Sequence, residues 1–159
     1  MKVVKILNKI LIVTIFLIIF NCYNIKANTI SNNSVSVNTI NKWNIQLTPI
    51  EIELLSRAVQ LEAGGESNIG KFATTETILN RIISPKYPNT LIEVLSQKGQ
   101  FGVWNNIMSP KGNPTMDTYL SVCMVLTGQV AVLDIDSYHF NTTPIGTNPI
   151  KIDNQYYGK

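Results

Sequence analysis

The chain has 159 residues, 45% of them hydrophobic and 14% charged, which suits one domain with a real core and excludes a charge-rich disordered polypeptide. Its formal charge of +3 falls to −1 once Lys2, Lys5, Lys9 and Lys26 are set aside, because no acid precedes residue 28, so the body of the chain has no basic footprint for nucleic acid. With His139 as the only histidine and Cys22 and Cys123 as the only cysteines, neither a zinc site nor a cofactor is expected, and a Ser–His–Asp or Cys–His mechanism has one candidate base.

The N-terminus reads as a targeting segment. MKVVKILNK is basic, and ILIVTIFLIIF, residues 10–20, is an apolar run too short for the roughly 20 residues a spanning helix needs. Ala27 closes NIKA as a cleavage point, although Ile25 departs from the A-x-A pattern. The expectation is a signal peptide over 1–27 and an exported protein. The alternative is an uncleaved N-terminal membrane anchor. A lipid anchor on Cys22 is disfavoured because IFNC lacks small residues before the cysteine. Removal of 1–27 leaves Cys123 as a lone thiol, with no intramolecular disulfide available, and its setting YLSVCMVL reads as core.

Residues 28–47, NTISNNSVSVNTINKWNIQL, are rich in Asn, Ser and Thr and read as a flexible linker from which Trp43 could pack back on the domain. The catalytic domain is expected over 48–159. Thr48 as N-cap, Pro49 at the first helical position and Glu51 three residues after Thr48 predict a capping box and a helix ending at Gly64-Gly65. Its apolar stripe, Ile52, Leu55 and Val59 with Ala58 and Leu61 beside it, continues at helical spacing onto Glu62. A second helix is predicted from a Ser67 cap, with the stripe Ile69, Phe72, Ala73, Glu76, Leu79, Ile83, ended by Pro85 and Pro88. NTLIEVLS predicts a short third helix capped by Asn89, QKGQFGVWNN a turn-rich connection, and PTMDTYLSVCMVLTG a fourth helix ending at Gly128. From Asp136 to Lys159, Pro and Gly turns with the alternation SYHFN predict short strands, Tyr138 and Phe140 on one face, His139 and Asn141 on the other. The fold class is α+β, mainly helical, with a small β element near the C-terminus.

Glu62 is the first candidate for chemistry. It falls where the next core residue belongs, and a negative charge at a helix C-terminus is unfavourable. Partial burial and the dipole both raise its pKa, toward about 6–7 in catalytic glutamates, the range a general acid needs near neutral pH. That is the requirement of glycosidic cleavage. A plain surface glutamate at a helix end is the competing reading. Glu66 either orders the loop after the glycines or faces solvent. Glu76, on an inner stripe, either faces the same cleft or forms a structural pair with Arg57 or Arg81. Asn80 and Arg81 close the second helix. Gln100 and Phe101, flanked by glycines, suit a sugar, with the ring stacking and the amide bonding hydroxyls; equally, the ring could plug the core. Tyr138, Phe140 and Asn141 have the same character.

These residues occur in a recognisable order: Glu62-Ala63-Gly64-Gly65-Glu66, Gly70, Leu79-Asn80-Arg81, Ser84-Pro85-Lys86-Tyr87-Pro88-Asn89-Thr90 and Gly99-Gln100-Phe101, without a gap from 54 to 101. The stretch resembles the cell wall hydrolase family of the spore cortex-lytic enzymes, and Tyr138-His139-Phe140-Asn141 matches its later aromatic-Asn element. The resemblance implies a lysozyme-like, lytic-transglycosylase-like catalytic domain that cleaves peptidoglycan glycan strands between N-acetylmuramic acid (or its lactam) and N-acetylglucosamine, leaving an anhydro end. It places the catalytic acid on Glu62. Glu76, Asn80, Gln100, Phe101, Tyr138 and Asn141 are then the expected substrate contacts, with Glu66 supporting, no metal, and a monomer acting outside the cytoplasm on wall or spore cortex, with an accessory or inhibitory protein left open. Two departures stand out. Where the family tends to I-G-N-H-x-F, this chain has Ile152-Asp153-Asn154-Gln155-Tyr156-Tyr157, and residues 102–137 are shorter and less similar. No peptidoglycan-binding domain precedes the catalytic part, so wall targeting is expected from the signal, the groove or a partner. The alternatives are a peptide- or amide-cleaving wall enzyme, which the lone histidine disfavours, and a catalytically silent wall-binding module.

Overall fold

The computed structural model describes residues 42–159; the expected signal peptide and residues 28–41 of the expected linker lie outside the described residues. Helix α1 spans Pro49–Ala63. Its start is the predicted capping box: the Thr48 hydroxyl accepts from Glu51 N at 3.3 Å, and the Glu51 carboxylate accepts from Thr48 N at 2.8 Å. It stops at Gly64, where a Cβ would crowd the Gln60 carbonyl oxygen and side chain, so glycine serves close approach rather than a left-handed φ.

Helix α2, Asn68–Ile83, opens on the predicted Ser67 cap and is the centre of the fold. It touches α1, the short helix α3 (Leu91–Ser96), helix α4 (Met116–Leu126) and the sheet. That surround explains why its burial does not follow the predicted stripe. Residues Gly70 to Ile82 are buried almost all round, whereas Ile69 and Ile83, at the stripe's ends, are 53% and 37% exposed. The buried threonines differ in how they are satisfied: Thr75 donates back to Lys71 O at 2.7 Å within the helix, Thr74 shares a 3.0 Å bond with the distant Tyr157 Oη, and Thr77 Oγ1 has no hydrogen-bond partner among the described residues. Ser84, restricted by the following Pro85, leaves the helix in extended conformation. The cap of α3 is Thr90, not Asn89, because Glu93 lies three residues after Thr90 and completes a side-chain pair at 2.6 Å. Two 3₁₀ turns, Trp104–Asn106 and Pro110–Gly112, fill the connection to α4, and Gly128 (φ +71°) follows its end.

Strands β1 (His139–Asn141), β2 (Ile150–Ile152) and β3 (Gln155–Gly158) form an antiparallel sheet in the order β1-β3-β2. Tyr157, fully buried, lies opposite both Phe140 and Ile150. The fold class is therefore the expected one, mainly helical with a small sheet near the C-terminus. The main core gathers Leu55, Val59, Ile78, Leu79, Val94, Phe101 and Val122, together with Trp43. Trp43 and its neighbour Lys42 fall within the stretch read as linker, and both are packed against the domain. Cys123 is buried, in keeping with its reading as a core residue. Among the described residues, no helix is long and apolar enough to cross a membrane.

The β2–β3 turn is tied to the start of α2. Asp153, in the left-handed region (φ +51°), accepts from Ser67 N and Ser67 Oγ at 2.9 and 2.6 Å. A Cβ on Gly70 would lie 2.7 Å from that carboxylate and 2.8 Å from Glu66 Cβ. Asp153 can rotate aside, but Glu66 Cβ cannot. Gly70→Ala should cost about 1–3 kcal/mol by overpacking, read as a lower urea midpoint. An unchanged midpoint would contradict this tight approach.

Candidate active site

Glu62 occupies the last turn of α1, half-buried, and its carboxylate makes no hydrogen bond or ion pair among the described residues. Burial raises its pKa above the ordinary glutamate value, and the positive charge of Arg81 pulls it partly back. The helix C-terminus acts in the same direction as burial. Its backbone is held from the sheet side, where Gln155 Nε2 donates to the Glu62 carbonyl at 3.1 Å. Beyond it, Gly65 has open space where a side chain would stand. A half-buried, unpaired carboxyl with a raised pKa can release a proton to an oxygen and take one back.

Arg81 is the cation of this region. It is 3% exposed, yet no carboxylate lies within ion-pair distance of it among the described residues. Its guanidinium carbon stands 4.6 Å from the Phe101 ring centroid and 5.2 Å from that of Tyr87. Nε donates to the Tyr138 carbonyl at 2.6 Å, and Nη1 is buried with no hydrogen-bond partner. The ring series continues from Phe101 to Phe140 and on to Tyr157, with centroids about 6 Å apart (6.1 and 5.9 Å). Burial above all pushes the Tyr157 phenol up to about 12, with the charges of Glu66, Asp153 and Glu62 adding to the shift. Tyr157 thus stays neutral, and its hydroxyl bonds Gly70 O at 3.2 Å.

The structure separates the expected substrate contacts. Glu76 is fully buried, and its oxygens are taken by Lys42 Nζ at 2.9 Å and by the amides of Val132 and Leu133 at 2.7 and 2.9 Å. It is a structural carboxylate, paired with Lys42 rather than with Arg57 or Arg81, and has nothing left for a sugar. Asn80 is likewise fully buried: Oδ1 accepts from Trp43 Nε1 at 2.7 Å, and Nδ2 donates to the carbonyls of Asp134 and Ser137, both at 2.9 Å. Phe101, 4% exposed, is a core ring beneath Arg81, which removes it as a stacking platform for substrate. Gln100 is exposed, so its amide is free to meet a ligand. Tyr138 is half-buried beside Tyr87, with centroids 5.5 Å apart. Asn141 is exposed, and its Oδ1 accepts from Thr142 N at 2.7 Å. Glu66 supports the loop: its carboxylate accepts from Asn154 N at 3.2 Å, and its carbonyl accepts from Lys71 Nζ at 2.7 Å.

His139 pairs with the Tyr87 hydroxyl at 3.1 Å, and burial followed by the charges of Arg81 and Lys86 lowers its pKa, which leaves a neutral imidazole near pH 7. Sequence reasoning missed Gln155 as the backing of Glu62, Lys71 as the clamp on the glycine loop, and Arg81 as the site's cation. Only Arg81 had a local signal, as a basic residue at a helix end next to Asn80.

A model of the family described as Cell Wall Hydrolase matches residues 65–157, a span that begins just after Glu62 and takes in α2, α4 and the sheet. Among solved structures, the chain is similar to the catalytic domain of the Bacillus cereus SleB protein, with a TM-score of 0.61 and 19% identity over 80% of this chain and 100% of that one. At that identity the likeness shows the fold, an α+β, mainly helical domain. No curated protein matches the chain.

Proposed function

The chain belongs to the cell wall hydrolase family, and from that premise we propose that it is an exported glycosidase of peptidoglycan that cleaves glycan strands as a lytic transglycosylase, with Glu62 as its single acid and base. The observation that carries this reading is the state of the three glutamates. Glu62 alone is half-open, unpaired and shifted toward the protonated form, while Glu66 is tied to Asn154 and Glu76 is consumed inside the fold. A route that needs a second carboxylate finds neither of the other two available.

In the single-acid route, Glu62 gives its proton to the oxygen linking muramyl C1 to the glucosaminyl residue. The C1–O bond breaks, and the glucosaminyl residue leaves with a new hydroxyl. The muramyl C6 hydroxyl then bonds to C1, and its proton returns to the Glu62 carboxylate, so no water is consumed. The raised pKa favours the first step, and Arg81 favours the carboxylate that the second step requires. Gln100, Tyr138 and Asn141 are the expected substrate contacts that remain exposed or half-exposed. We assign residues 1–27 to export and the spore cortex or the wall as the place of action, in keeping with the family.

Zymography on purified peptidoglycan followed by mass spectrometry tests the proposal. The expected products carry anhydro-muramyl ends. Release of new amino groups without glycan cleavage would instead identify a peptide- or amide-cleaving enzyme, and binding without any product would identify a silent module.

A further inference from the structure

The residues just ahead of α1 reach deep into the domain. Trp43 is 4% exposed, and its indole N–H is bonded to Asn80. Lys42 is bonded to Glu76 and also donates to the Leu133 carbonyl. Glu76 and Asn80 are four residues apart on α2, so they lie on one face of the helix. All their remaining hydrogen bonds go to a single loop: Val132 and Leu133 through their amides, Asp134 and Ser137 through their carbonyls. This loop has no helix or strand of its own. It leads directly into Tyr138, whose carbonyl receives Arg81 Nε at 2.6 Å.

We propose that Lys42 and Trp43 are positioning residues of the catalytic site, a latch that fixes the 132–138 loop and, through it, Tyr138 and Arg81. The inference rests on the Glu62 reading for its link to catalysis, and on the hydrogen-bond geometry for the latch itself. Without the indole N–H, the Asn80 side-chain oxygen is left with no donor at a site closed to water. The amide can then satisfy itself only by turning, which releases the Asp134 and Ser137 carbonyls. Without the Lys42 ammonium, the Glu76 carboxylate loses its charge partner, and the Leu133 carbonyl loses a donor. Both losses converge on backbone groups within a few residues of Tyr138. The latch lies ahead of the residues the family model matches, which start at 65.

The test uses the full chain with Trp43→Phe, which keeps a ring and removes the donor, and Lys42→Met, with Lys42→Arg as the conservative rescue. Amide exchange in the free protein reads the latch directly. The Val132 and Leu133 amides should exchange at least about 5- to 10-fold faster in Trp43→Phe and Lys42→Met, the size of one buried hydrogen bond, while the Val59 and Val122 amides keep their rates and Lys42→Arg restores protection. On glycan, Trp43→Phe should lower kcat/KM by a similar factor and cost nothing further when Tyr138→Ala is already present, because both act through the same loop. Unchanged exchange at Val132 and Leu133 would overturn the latch. Strictly additive losses, or faster exchange with unchanged kcat/KM, would overturn the positioning role. The exchange measurement needs no activity, so a wild-type protein inactive on glycan would defeat the Glu62 reading and leave the latch to be judged by exchange.

Discussion

Glu62→Gln should lose at least about 10²-fold in kcat on purified peptidoglycan while keeping the wild-type fold. The substitution preserves shape and removes the carboxyl proposed to give and retake the proton. Because the carboxylate has no hydrogen bond or ion pair among the described residues, replacing it breaks neither kind of bond among them. It should even stabilise the protein at neutral pH. The pKa of Glu62 in the folded chain lies above its unfolded value of 4.5, so the folded state holds the proton more tightly. The cost of ionising Glu62 is absent below the unfolded pKa and grows as pH rises toward the folded one. Glu62→Gln escapes that cost. Its thermal midpoint should match wild type near pH 4 and exceed it at pH 7, a trade of stability for activity common at catalytic groups. A midpoint that falls at pH 7 would mean that Glu62 is a structural carboxylate.

Glu76→Gln should do the reverse and act first on stability, by about 3 kcal/mol. Glu76 is fully buried and bonded to one ammonium and two backbone amides. A glutamine in the same pose turns an NH₂ toward one of those donors and leaves Lys42 without its counter-charge. Breaking a buried pair by removing one partner costs about 3–5 kcal/mol, and the low end applies because the Lys42 side chain is 16% exposed and can turn partly to water. For a domain of this size the loss corresponds to a midpoint lower by on the order of 10 °C. Added salt should change it little, since a buried pair is weakly screened. A Glu76→Gln protein with wild-type stability and no activity would return Glu76 to the substrate cleft.

The two glutamates show how far the sequence could be read. Helix starts were legible because a cap is a local event: Thr48 with Glu51, and Ser67 ahead of α2, need only their near neighbours. Asn89 failed as a cap for the same reason, since the decisive residue, Glu93, is spaced from Thr90. Periodicity correctly placed Glu62 and Glu76 on inward faces but could not say what each one meets. Glu62 comes at a helix end, where the chain opens; Glu76 comes at the middle of a helix enclosed on all sides, where only internal partners exist. Phe101 was ambiguous for a similar reason: a ring between glycines can face inward or outward, and Arg81 lying over it from another element settles the matter. Trp43 was legible as an aromatic that could pack back on the domain, but its partner Asn80 and the Lys42–Glu76 pair were not, since a composition window cannot see contacts 37 and 34 residues away. Gln155 was visible only as the residue at the histidine place of the family's later element; its bond to Glu62, across 93 residues, was not legible.

The central claim is that one half-buried glutamate, Glu62, both donates and recovers the proton in glycan cleavage. Mass spectrometry of peptidoglycan digested side by side with wild type and Glu62→Gln tests it most directly. The account predicts anhydro-muramyl ends from wild type and none above background from the variant. Equal yields of anhydro ends from both proteins, or wild-type products cut only at amide bonds, would contradict it.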